Sequence, residues 1–138
     1  MAALAWMLDT NTLSDLIKNP QGPVARRLER VDPDSVCTSI VVACELRFGA
    51  QRKASPLLSS RVDDLLAGVP VLALDGAVDR HCADIRLTLE RAGTPIGSHD
   101  LLIAAHARSM GLVVVTRNLR EFQRVPGLVV EDWLTSAA

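Results

Sequence analysis

Ala5-Trp6-Met7-Leu8-Asp9-Thr10-Asn11-Thr12 is a short apolar run that stops abruptly at a carboxylate. Residues 1–8 show no polar alternation, the pattern of a strand covered on both faces in a parallel sheet. Asn11 and Thr12 then offer helix N-caps ahead of Leu13-Ser14-Asp15-Leu16-Ile17. Open α/β sheets bind ligands beyond the carboxyl ends of their strands. Asp9 stands at such an end and is the first candidate for chemistry.

Downstream, strand and helix signals alternate. Asn19-Pro20-Gln21-Gly22-Pro23 is a turn, with Pro23 placed to open a helix over 23–30. Val36-Cys37-Thr38 reads as a second strand, and Ser39 as the cap of a helix running towards Arg52. Ser55-Pro56 opens a helix over 56–66 that Gly68 ends. Residues 69–74 form a third strand, which Pro70 assigns to an edge or a strand start. Asp75 is the expected cap of a helix ending at Arg91, and Ser98 of an apolar helix over 100–110. Leu112-Val113-Val114-Val115-Thr116 is the strongest strand signal and Leu128-Val129-Val130 the last. The alternation predicts α/β class: a three-layer α/β/α sandwich with a central, mainly parallel sheet. No repeat or linker divides the 138 residues, so one domain over 1–138 is expected.

The composition is globular and the core aliphatic, with 49% hydrophobic and only 3% aromatic residues. A net charge of −1 supplies no global attraction to nucleic acid, so binding RNA would depend on local charge. Cys37, Cys44 and Cys82 form no CxxC pair, and Cys37 and Cys44 lie in apolar sequence. They are expected as reduced core thiols of a cytoplasmic protein. No run has the length of a membrane span, and no basic segment precedes a long apolar one at the start.

Three acids stand in awkward places. Asp9 ends a buried strand; Glu45 shares a helix face with Val41, Val42, Phe48 and Gly49; Asp100 opens an apolar helix. No Lys or Arg lies three or four positions from Glu45 to offset its burial. If the three converge, repulsion raises their pKa values unless a cation joins them, and a hard divalent metal meets that need. Read singly, Asp9 is also a common helix cap and Asp100 a favourable first-turn charge.

With these acids, four stretches carry a resemblance: Met7-Leu8-Asp9-Thr10-Asn11, Ala43-Cys44-Glu45-Leu46-Arg47-Phe48-Gly49, Ile96-Gly97-Ser98-His99-Asp100-Leu101-Leu102-Ile103-Ala104-Ala105-His106-Ala107 and Val115-Thr116-Arg117-Asn118-Leu119-Arg120-Glu121-Phe122. Together they resemble the PIN-domain nucleases, most closely the VapC-type toxins of bacterial toxin–antitoxin pairs, over essentially the whole chain. The resemblance implies Mg2+-dependent endoribonuclease activity, with Mn2+ as a substitute, and Asp9, Glu45 and Asp100 as catalytic metal ligands. Asn118 stands where many PIN domains carry an acid, so Asn118 or Glu121 completes the set. Thr116 is similar to the family's hydroxyl that steadies the first acid. The family chemistry implies 5′-phosphate and 3′-hydroxyl products without participation of the ribose 2′-OH.

RNA phosphates need cations beside the acids, and Arg117 and Arg120, flanking Asn118, are the first candidates ahead of Arg47, Arg52, Lys53, Arg86 and Arg124. The resemblance further implies a cognate VapB-like antitoxin presenting a cation to the acids, and a homodimer. His99 and His106 are seven apart, too far for the i, i+4 pairing of helical zinc ligands, and His81 has no evident task. A haloacid-dehalogenase-like phosphatase would need an acid at Asn11, and a receiver domain a Lys where Thr116-Arg117 stands. A catalytically weak PIN domain serving as an RNA- or protein-binding module is the remaining alternative. The RNA species that is cut is not encoded in these motifs.

Overall fold

The computed structural model describes residues 3–135, so Met1 and Ala2 of the anticipated first strand lie outside the described residues. That strand, β1, is confined to Trp6–Leu8. It leads into α1 (Thr10–Lys18), α2 (Pro23–Leu28), a 3-10 turn (Pro33–Ser35), β2 (Val36–Ser39), α3 (Ile40–Arg52) and α4 (Pro56–Gly68). There follow β3 (Val71–Leu72), α5 (Val78–Arg91), α6 (Ser98–Ser109), β4 (Val113–Val115), α7 (Leu119–Phe122) and β5 (Val130–Glu131).

The five strands are ordered β3-β2-β1-β4-β5, and every pairing is parallel. From β1 the chain steps outward through β2 to β3, then crosses back to β4 and β5. Right-handed crossovers therefore put α1–α4 on one face and α5–α7 on the other. The order reverses between β1 and β4, so a crevice opens at their carboxyl ends. Asp9 follows β1 there and Thr116 follows β4.

Met7 and Leu8 are fully buried in that central strand. Each such side chain contributes about 1.5–3 kcal/mol relative to exposure, which holds the adjacent carboxylate in place. Paired strands are shorter than the apolar runs. Leu4, Leu112 and Leu128 join the core from outside the ladder, where burial needs no pairing.

Several helix starts differ from expectation. Asp9, rather than Asn11 or Thr12, caps α1. α5 begins at Val78 without a side-chain cap, because the Asp75 carboxylate accepts from the adjacent Gly76 N–H at 2.7 Å. α6 begins at Ser98 itself, with Gly97 in the cap position. Ser39 does cap α3, accepting the Val41 N–H at 3.1 Å.

Two junctions, one of them buried, set the helix positions. The Ser39 hydroxyl lies 2.9 Å from His106 Nδ1, and the ring also bonds the Ala73 backbone, so α3, α6 and the end of β3 meet at one imidazole. Burial lowers the His106 pKa, which keeps that ring neutral. Two residues on, in the same last turn of α6, Arg108 donates to His81 Nδ1 at 2.8 Å, to Asp84 at 2.7 Å and to the Pro126 carbonyl at 2.9 Å. His81 thus has a structural role.

At the β5 edge, Arg27 lies 5.3 Å from the Trp133 ring centre and 3.3 Å from Glu131, which also accepts from the Trp133 indole at 3.0 Å.

Cys37 is buried and its thiol is pushed up to about 11 by that burial, but Cys44 is exposed. Phe48 is 62% exposed, so it does not share a buried stripe with Val41 and Val42. Both stand on the outer side of α3, where the anticipated core face does not reach.

Candidate active site

Asp9 is 4% exposed and tied down from both flanking strands. Its N–H donates to the Val115 carbonyl at 3.0 Å, and the Thr38 hydroxyl donates to the preceding Leu8 carbonyl at 2.7 Å. The Asp9 carboxylate accepts the Thr12 N–H at 2.9 Å and a bond from the Thr116 hydroxyl. Thr116 has its oxygen fixed by the Asn118 N–H at 2.9 Å, which turns its proton towards the acid.

Glu45 projects from α3 to the same end of the sheet and is half-buried. The Thr10 hydroxyl donates to its Oε1 at 2.5 Å, and His99 Nδ1 lies 3.1 Å from its Oε2. Asp100, in the first turn of α6, faces Glu121 of α7 closely enough for a carboxyl–carboxyl hydrogen bond. The Asn118 amide donates to Glu121. The strand end, α3, α6 and α7 thus deliver four acids to one crevice, and Asn118 acts by holding Glu121.

The electrostatics follow from this crowding. Burial raises the Asp9 pKa, hydrogen bonds from Thr116 and Thr12 oppose the rise, and the Glu45 charge adds to it. Asp100 is pushed up to about 7, first by burial, then by the hydrogen bond to Glu121 and the charges of Glu121, Asp9 and Glu45. Among the described residues no lysine or arginine forms an ion pair with any of the four. The fixed donors are neutral: two hydroxyls, an amide and a backbone N–H.

A hard cation fits this donor set, since the oxygens are carboxylates in excess and no lysine or arginine among the described residues pairs with them. Among the described residues no three His, Cys, Asp or Glu side chains already close on one point at coordinating distance. Glu45 is turned to Thr10 and His99, and Glu121 to Asn118.

Arg117 and Arg120 are exposed beside Asn118 and form no ion pair among the described residues. Arg47 is paired with Asp63 at 2.5 Å and Arg86 with Glu90 at 3.2 Å, both away from the acids. Lys53 lines, with Lys18, Ser14 and Leu58, a cleft of about 130 Å³ whose wall includes Thr10 and Glu45.

The sequence gives Thr10 no role and sets His99 aside as a zinc ligand, whereas both bond Glu45 in the structure. Each directly precedes or follows a candidate acid, and that adjacency was the available signal.

Known proteins show the family to which this sequence and fold belong. The chain matches the PIN domain family over residues 6–128. It is 41% identical over 131 residues to the tRNA(fMet)-specific endonuclease VapC of Salmonella typhimurium, covering 94% of this chain and 98% of that one. It is 36% identical over 132 residues to ribonuclease VapC2 of Haemophilus influenzae, covering 95% and 99%. Among solved structures, DNA-bound VapBC from Salmonella typhimurium superposes with a TM-score of 0.84 at 40% identity, covering 95% of this chain and 99% of that one. VapBC2 from Rickettsia felis, bound to a promoter DNA fragment, gives 0.87 at 29% identity, covering 94% and 99%.

Proposed function

The chain belongs to the PIN-domain family, among its VapC ribonucleases, and from that premise we propose that Asp9, Glu45 and Asp100 form the metal-binding catalytic centre of one nuclease domain over residues 1–138. The protein is an endoribonuclease of the kind that serves as the toxin of a VapBC toxin–antitoxin pair. The observation that carries the site assignment is the meeting of these acids in one crevice with no arginine or lysine paired to any of them among the described residues.

Mg2+, or Mn2+ in its place, supplies charge neutralisation at the phosphodiester and acidifies the attacking water when bound. Asp9 is the fixed ligand, because the Thr12 N–H and the Thr116 hydroxyl hold its carboxylate from two directions. Glu45 and Asp100 would complete the set that holds the ion, and Glu121, held by the Asn118 amide, would add charge beside Asp100. Arg117 and Arg120 bind backbone phosphates of the RNA, sequence-independently, as exposed cations do. The products carry a 5′-phosphate and a 3′-hydroxyl.

The partner is a VapB-like antitoxin that sets a cation against the acids, where no lysine or arginine among the described residues is paired. The active form is a homodimer, and the site of action is the cytoplasm, where free thiols such as exposed Cys44 stay reduced. No helix among the described residues is long and apolar enough to cross a membrane.

Divalent-dependent cleavage of cellular RNA by the purified chain, lost in Asp9→Asn, is the expected result. Comparable cleavage by that variant refutes the assignment. Sequencing the new 5′ ends after brief induction identifies the RNA.

A further inference from the structure

Among the described residues the Glu45 carboxylate has two hydrogen-bond partners, one part-buried and one exposed. Its Oε1 takes the Thr10 hydroxyl at 2.5 Å, across 35 positions of sequence, while its Oε2 meets His99, whose side chain is 65% exposed. Thr10 is the first residue of α1, and that helix is already capped by Asp9, so the Thr10 hydroxyl is not needed for the helix terminus. It is instead spent on a carboxylate carried by a different helix.

We infer that Thr10 is a positioning residue for Glu45: its hydroxyl fixes Oε1 and leaves Oε2, shared with the exposed His99, as the oxygen free to face the cation. Because Thr10 follows Asp9 directly, one peptide bond couples the placement of two acids from separate elements. This rests on the metal centre proposed above and extends it to a residue that touches neither ion nor RNA. A ligating carboxylate held by an outer hydrogen bond typically loses about ten- to a hundredfold in metal affinity or activity when that bond is removed.

The test is Mn2+ titration of the full chain by calorimetry, without RNA, for wild type, Thr10→Val, Thr10→Ser and Glu45→Ala. Thr10→Val, nearly isosteric and without a donor, is expected to weaken Mn2+ binding about ten- to a hundredfold, with Thr10→Ser returning most of it. In the Glu45→Ala background Thr10→Val should add no further loss, because a positioning residue acts only through what it positions.

Wild-type affinity in Thr10→Val, no recovery in Thr10→Ser, or an equal loss with Glu45 already absent overturns the inference. If Val at this position prevents folding, Thr10→Ala removes the same donor and is read by the same criteria. A wild-type chain that takes up no Mn2+, with or without RNA, overturns the metal centre itself; uptake lost in Asp9→Asn but untouched in Thr10→Val overturns only the role of Thr10.

Discussion

Asp100 shows how far a single carboxyl can be pushed by its neighbours. Its folded pKa, about 7, lies above the ordinary 3.8, so its contribution to stability is whole below pH 3.8 and is lost as pH rises through about 7. In the presence of chelator the wild-type melting temperature should therefore fall between about pH 5 and about pH 8. Asp100→Asn removes the charge at constant shape. It is expected to melt higher than wild type at the alkaline end while cleaving RNA at least about a hundredfold more slowly. Thermal melts paired with cleavage rates check both halves, and a variant with the wild-type slope contradicts the repulsion account. Asp9, Glu45 and Asp100 were legible in the sequence because a carboxylate in an apolar setting needs a reason. Thr10 and His99 were not, because a hydroxyl and an imidazole on half-exposed helix turns need none, and their partner lies 35 and 54 positions away.

At the scale of elements, α3 depends on one serine. Ser39 ends the N-terminus of the helix that carries Glu45 and satisfies the buried His106 ring of the helix that carries Asp100. Ser39→Ala removes a cap and leaves a buried ring nitrogen unpaired, a loss of about 2 kcal/mol measurable by urea unfolding. Cleavage should fall with it, since the two helices set the separation of two acids. His106 acts in the opposite pH direction to Asp100: its folded value is below 6.5, so its contribution is whole above that pH and is lost as pH falls beneath it.

Element identity and order were readable from alternating apolar runs and breakers. Helix starts were less so, because Asp75 has a nearer N–H to bind and Ser98 is absorbed into the first turn. Strand lengths were overread, since an apolar residue beside a strand packs as well as one within it.

For the whole molecule, the alternation of strands and helices implied a parallel sheet, but not its order. Only the order β3-β2-β1-β4-β5 reveals why Asp9 and Thr116 face each other: their strands are the central neighbours on either side of the reversal. Convergence of Glu45 and Asp100 from opposite layers is likewise a property of the assembled sandwich that no local window contains.

The two-residue edge strand β5 has an effect beyond its size. Glu131 gives its carbonyl to the Thr116 N–H at 2.9 Å and its carboxylate to Arg27 and Trp133, so a hydroxyl that steers Asp9 is moored to the final stretch of the chain. Glu131→Gln, which keeps the backbone bond to Thr116 but weakens the tie to Arg27, is expected to lower the melting temperature slightly, as thermal melts followed by circular dichroism would show. For protein engineers the practical upshot is that trimming or grafting cargo near Trp133 is expected to disturb the crevice around Asp9 through Glu131 and Thr116.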